Sequence, residues 1–154
     1  MNIFVVDPDP VISAQSLLDK HVVKMPLESA QLLCSAFPEN SAPYKRTHVN
    51  HPCSIWVRTS RDNFDWLVLH GLGLCDEYTR RYGKVHASRR VIEWAKDNAS
   101  QIAFTKTGLT PFAQAMPEIY RCHCAVEAYR AYYLGSKREF ATWKSPSKPP
   151  SWWR

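Results

Sequence analysis

Apolar residues recur at intervals of three and four from Phe64 through Leu67, Gly71, Leu74 and Tyr78 to Tyr82, the pattern of a helical face turned to a core. Ser60 offers an N-cap ahead of that run and Gly83 a stop behind it. A second face of the same helix, with Asn63, Trp66, His70, Glu77 and Arg81, is more polar than a buried side and more aromatic than a simple solvated one. Upstream, Asp9 before Pro10 reads as an N-cap with proline at the first helical position. The helix it opens runs through Val11, Ala14, Leu17 and Leu18, and Pro26 should kink or divide it between Lys24 and Glu28. Pro52 starts a short helix with Ile55, Trp56 and Val57 that ends near Ser60, and a further helix spans 87–100. After Pro117 the positions Ile119, Cys122, Val126, Tyr129 and Tyr133 make one more helical stripe, which stops at Gly135. A short helical piece follows around Lys137 to Trp143.

The stretches between these runs lack strand-like alternation, apart from an extended, β-branched entry at residues 2–6 that prolines close. Residues 38–51 read as a polar surface loop, and 105–117 as a turn-rich connection from which Phe112 and Met116 plug the core. The expectation is an all-α protein, a single compact domain of about five helices over 1–154, with 145–154 a Pro/Trp-rich C-terminal segment. Trp152 and Trp153 either stack on a nucleobase or close over the core, packing against the body being the favoured reading.

Charge narrows the partners. A formal net charge of +6 and a pI near 9.2 favour a polyanionic ligand, either nucleic acid or a phosphorylated small molecule. No apolar run is long enough to span a bilayer and no secretion signal opens the chain, so the expected location is cytoplasmic, that of a bacterial host if the protein is phage-encoded. The five cysteines are most simply buried reduced thiols. Cys122-His123-Cys124 is the sharpest metal candidate, but its C-x-C spacing is not that of common zinc sites, and neither a metal nor a cofactor is expected.

Chemistry concentrates in residues 19–28, DKHVVKMPLE. His21, Lys24 and Glu28 share a narrow helical stripe that can hold an imidazole, an ammonium and a carboxylate against one small ligand. The bland alternative is an i, i+4 surface pair between Lys24 and Glu28 beside an ordinary histidine. Against it, Leu17, Leu18, Val22, Val23, Met25, Leu27, Leu32 and Leu33 make the segment nearly apolar all round, and charged groups buried there need a reason.

Asp19-x-His21, a glutamate seven residues after that histidine (Glu28) and a nearby proline (Pro26) resemble the pyrimidine-dimer DNA glycosylase family, the small all-helical, endonuclease V-like repair enzymes, and the phage proteins grouped near them. Tyr82-Gly83-Lys84 and Lys148-Pro149-Pro150-Ser151-Trp152-Trp153 are similar to later family features in the same order. The resemblance implies cleavage of an N-glycosidic bond, with Glu28 as the catalytic carboxylate and His21 in the substrate pocket. As the base departs, positive charge develops on the sugar, and a preplaced carboxylate favours that state. Two places depart from the family pattern. Its enzymes use the α-amino group exposed by removal of the initiator methionine as nucleophile, whereas the large Asn2 disfavours that removal and puts the lyase route in doubt. Arginines that grip DNA phosphates beside the family's glutamate are here Leu27 and Gln31.

The leading expectation is therefore an N-glycosidase with water as nucleophile, acting on damaged or modified DNA or on a small cyclic nucleotide of bacterial antiphage defence. Glu28, His21 and Lys24 are its catalytic candidates. Lys20, Tyr44, Lys45, Arg46, His48, Asn50, His70, Trp152 and Trp153 are its substrate-binding candidates. Two alternatives stay open: a non-catalytic nucleic-acid or nucleotide binding protein, and a purely structural ion-pair network spanning Asp19 to Glu28.

Overall fold

A computed structural model describes all 154 residues, which form six α-helices and no β-strand. In chain order the helices are α1 (Pro10–Ser16), α2 (Asp19–Cys34), α3 (Pro52–Thr59), α4 (Arg61–Tyr82), α5 (Arg89–Asp97) and α6 (Ala125–Ser136). Short 3-10 turns cover Ala99–Gln101, Glu118–Tyr120 and Arg138–Phe140. No helix is long and apolar enough to cross a membrane.

Helix α4 is the spine, packing against α1, α2, α3 and α5. Its caps are those the sequence specifies: Ser60 Oγ accepts from the Asn63 N–H, and Gly83 closes the helix at φ 67°. Gly71 lets three helices meet, since a Cβ there would lie 2.9 Å from Ile92 Cδ1 and 3.3 Å from Ser29 Cβ. The second face of α4 is buried, against expectation: Asn63, Trp66, His70, Glu77 and Arg81 are all in the interior. Its polarity serves backbone groups at helix ends and in irregular chain that lack a partner in any helical ladder. Trp66 Nε1 donates to the Pro8 carbonyl, His70 Nδ1 to that of Pro10, and Asn63 pairs with both Trp56 and Thr110.

Asp9 caps α1 as expected, accepting from the Val11 and Ile12 N–H groups. The division between α1 and α2, however, falls at Leu17 and Leu18, both extended and fully buried, rather than at Pro26. Helix α2 runs through Pro26 unbroken. The carbonyl that Pro26 leaves without its helical donor is that of Val22, and at the neighbouring Val23 the carbonyl oxygen accepts from His86 Nε2 at 2.9 Å. The helix expected directly after Pro117 also begins later. Gln114 takes both backbone groups of Cys122, donating to its carbonyl at 2.6 Å and accepting from its N–H at 3.2 Å, so 121–124 stay extended. Ile119 is left 84% exposed, while Tyr129 and Tyr133 do enter the core.

The thiols divide as well. Cys34, Cys53 and Cys75 are buried, with burial pushing Cys53 and Cys75 up to about 12, but Cys122 and Cys124 are exposed.

Candidate active site

Residues 2–6 belong to no helix and pair with no strand. They thread through the core, with Ile3 to Val6 buried, and carry the N-terminus onto α2. Asn2 fixes the turn that does this: its Oδ1 accepts from the N–H groups of Ile3 and Phe4 at 2.8 and 3.1 Å, and its Nδ2 donates to Ala115 O at 2.7 Å. Phe4 is held at φ 39°, a conformation that a bulky side chain adopts only under outside constraint. The reward is a ring stacked on His21, with centroids 4.1 Å apart and planes inclined by 22°.

A cleft of about 570 Å³ opens beside this turn. His21, Lys24, Met25 and Glu28 come from α2; Met1, Asn2 and Phe4 from the N-terminal segment; His51 and Pro52 from the start of α3. Gln114, Ala115, Met116 and Arg121, with Tyr132 and Lys137 at the end of α6, close the far side. The Met1 amine stands 3.5 Å from Glu28 Oε1 and Lys24 Nζ 3.7 Å from Oε2. The side chains of Met1 and Glu28 are nearly sealed from bulk water, at 5% and 9% exposure, whereas the Lys24 side chain is 70% exposed. No hydrogen bond ends on Glu28, so its oxygens keep their valence for a ligand.

His21 is buried, and its Nδ1 lies 2.5 Å from the Tyr133 hydroxyl. Burial first, then repulsion from Lys137 and Lys24, pushes the imidazole down to about 3, so the ring is neutral near pH 7. With Tyr133 donating to Nδ1, the ring keeps an Nε2 hydrogen for a ligand. In that state it donates a hydrogen bond through Nε2. The charged lining is otherwise cationic: the Met1 amine, Lys24, Arg121 and Lys137 face the single carboxylate of Glu28. Such a cleft attracts an anionic ligand while holding one negative charge at its floor.

The three residues of the α2 stripe thus meet in one cleft. The other candidates scatter. Lys20 is exposed and lies over the Phe140 ring at 4.8 Å, outside the cleft. His70 is sealed between Trp66 and the Pro10 carbonyl, 1% exposed and pushed down to about 4 by burial, so it touches the N-terminal segment and no substrate. Trp152 and Trp153 pack against Tyr133 and Trp143 under Arg130 and Arg138, away from the cleft. His48 bonds Thr47 Oγ1 and Asn50 is exposed, neither of them lining the cleft. Tyr44, Lys45 and Arg46 line a separate groove with Leu27 and Gln31.

Several lining residues lay outside the candidate set: Met1, Asn2, Phe4, His51, Arg121, Tyr132 and Lys137. No spacing pattern links them. His51 alone had a local signal, as the residue before Pro52, and its Nδ1 indeed caps α3 by accepting from Cys53 N–H.

A family model described as pyrimidine dimer DNA glycosylase matches residues 1–90, more than half of the chain. The chain belongs to the pyrimidine dimer DNA glycosylase family. Membership supports DNA glycosylase-like enzymatic activity, and nucleic acid as the substrate class, at the level of the family. The matched stretch contains the whole α2 side of the cleft, the N-terminal turn and His51, while Gln114, Arg121, Tyr132 and Lys137 lie beyond it. No match was found among curated proteins or among solved structures.

Proposed function

We propose that the protein is an N-glycosidase that cleaves the base–sugar bond of a nucleotide in DNA, with Glu28 as its catalytic carboxylate. The observation carrying this reading is a buried carboxylate with no hydrogen bond, facing a cationic cleft of about 570 Å³. When the C1′–N bond breaks, its electron pair leaves with the base and positive charge spreads over C1′ and the ring oxygen. A fixed carboxylate in a water-poor site stabilises that charge far better than solvent does. His21 donates a hydrogen bond to the departing base through Nε2, and Lys24 stands where it favours an approaching phosphate. Tyr132, which lines the cleft, offers an aromatic surface to a base drawn out of the stack, offsetting part of the lost stacking. Water then bonds to C1′ and gives its proton to Glu28.

The position of the Met1 amine supports a second nucleophile. At 3.5 Å from Glu28, the neutral amine can attack C1′ in place of water as the base leaves, passing a proton to Glu28; breaking the C1′–O4′ bond then leaves an imine at C1′, and the ring oxygen takes up the proton as a 4′-hydroxyl. A small cyclic nucleotide fits the charge of the cleft equally, though no feature of the site favours it over DNA.

The test is to incubate the protein with undamaged duplex DNA, dimer-containing duplex DNA and a panel of cyclic dinucleotides, then look for free base or glycosidic cleavage by mass spectrometry, with and without borohydride. Base release or dimer-specific glycosidic cleavage from DNA is the expected result. A borohydride-trapped adduct assigns the amine as nucleophile, and its absence with cleavage intact assigns water. Cleavage of a cyclic dinucleotide alone overturns the DNA substrate, and no cleavage in any arm overturns the enzyme.

A further inference from the structure

We infer that the groove between α2 and residues 43–47 is a phosphate-binding subsite for the DNA strand that flanks the nucleotide held in the cleft. The inference rests on the DNA substrate proposed above. It starts from the outer face of α2, where Lys24, Leu27 and Gln31 follow each other at helical spacing. Lys24 belongs to the cleft, and Leu27 and Gln31 to a second groove of about 620 Å³. Seven helical residues advance about 10 Å, which corresponds to about three nucleotides of one DNA strand. The stripe therefore connects the two concavities over a length a short strand can follow.

Across the groove from α2 stand Lys45 and Arg46, both exposed, with no carboxylate among the lining side chains. Neither enters an ion pair, so both charges are free for a ligand. The backbone that carries both cations is anchored by the residues on either side of them. Tyr44 OH bonds Ser88 Oγ at 3.2 Å, and Ser35 Oγ donates to Thr47 O at 3.0 Å while accepting from Thr47 N–H at 3.2 Å. Anchoring the chain on both sides of two unpaired cations lowers the ordering cost of gripping an anion there. The resulting arrangement is a rigid, acid-free basic ledge that begins where the Lys24 side of the cleft ends.

The experiment measures binding of a fluorescein-labelled, lesion-free duplex oligonucleotide to the full chain by anisotropy over a range of salt concentrations. The double variant Lys45→Gln/Arg46→Gln should bind about 10-fold or more weakly at low salt, and the slope of log K against log[salt] should shrink by about two. Lys45→Arg/Arg46→Lys should keep both, and Gln31→Lys should steepen the slope by about one. The control Lys148→Gln removes a cation from a groove lined by Glu77 and Arg80 instead, and should change the slope less. An unchanged slope in the double variant, a loss equalled by the control, or no gain with Gln31→Lys overturns the subsite. Glycosidic cleavage is read separately: if it persists while the slope is unmoved, the subsite fails and the glycosidase stands. If no cleavage is found but the slope falls, the reverse holds.

Discussion

Asp19 and Glu28 stand on the same helix, and each meets a cation, yet the two carboxylates are treated in opposite ways. Asp19 accepts from Arg81 Nη1 at 2.9 Å, Thr142 Oγ1 at 2.7 Å and the Lys144 N–H at 2.8 Å. Arg81 continues to Glu77 at 2.9 Å and to the Gln15 carbonyl at 3.1 Å, and Ser147 Oγ donates to Glu77 in turn. Every partner in that network ties two parts of the chain together, so its burial is explained by architecture. Glu28 has only two cations at ion-pair distance and no hydrogen bond, and it looks into a cleft. A saturated buried charge holds the fold, whereas an unsaturated one beside empty space is poised for a ligand.

The largest effect should come from breaking the saturated side. Arg81→Ala leaves the buried Glu77 and the half-buried Asp19 without their shared cation and should cost about 3–5 kcal/mol in denaturant unfolding. A cost near zero would mean that the network adds no more than a surface pair does. The unsaturated side should behave in reverse. Glu28→Gln should lower the rate of glycosidic cleavage by a factor on the order of 10² or more while costing only about 1 kcal/mol in unfolding, because it gives up two long ion pairs and no hydrogen bond. A large stability loss with cleavage intact would place Glu28 with Asp19 among structural charges.

The sequence made the two carboxylates look alike, and the reason is physical. Helical spacing places Asp19, His21, Lys24 and Glu28 on one element, but it carries no information about partners more than fifty residues away, such as Arg81 or Thr142. Local chemistry was legible throughout: the Asp9 and Ser60 caps, the Gly83 stop, the α4 core stripe and the His21-Lys24-Glu28 stripe all follow from near neighbours. What failed depended on tertiary demand. His70 was read as a substrate-binding candidate and Trp66 as part of a half-polar face because their polar atoms serve the carbonyls of Pro10 and Pro8. The helix expected from Ile119 onward was preempted by the Gln114 side chain. The cleft's far wall, Arg121, Tyr132 and Lys137, comes from chain remote from α2, and only folding brings it there.

Acid should erode the fold through the two sealed imidazoles, one on each side of the comparison. His21 faces the cleft and is pushed down to about 3, while His70 lies under the N-terminal segment and is pushed down to about 4. Both stay neutral in the folded chain at pH values where the unfolded chain, near 6.5, takes up protons. Stability is therefore full above about pH 6.5 and falls as pH drops toward 4, each ring contributing up to about 1.4 kcal/mol per pH unit. Denaturant unfolding at pH 6 and pH 5 should show this loss, and His70→Asn should remove about half of the slope. A wild-type stability that is flat over this interval would contradict the depressed values.

The smallest effect concerns Lys24, the one cation near Glu28 that water reaches freely. Its ammonium lies 3.7 Å from Oε2 across one helical turn, and at 70% exposure it is strongly screened. Lys24→Gln should therefore change unfolding by only about 0.2–0.5 kcal/mol. If the Met1 amine is the principal partner of the carboxylate, the same substitution leaves Glu28 compensated and the cleavage rate at saturating substrate within a few-fold of the parent. Its effect should instead appear in substrate affinity, growing as salt is lowered, because an exposed cation at the mouth of an anion-attracting cleft acts mainly on encounter. A loss of turnover as deep as that of Glu28→Gln would shift the decisive contact from the terminal amine to the lysine, and with it the reason the carboxylate is tolerated where it is.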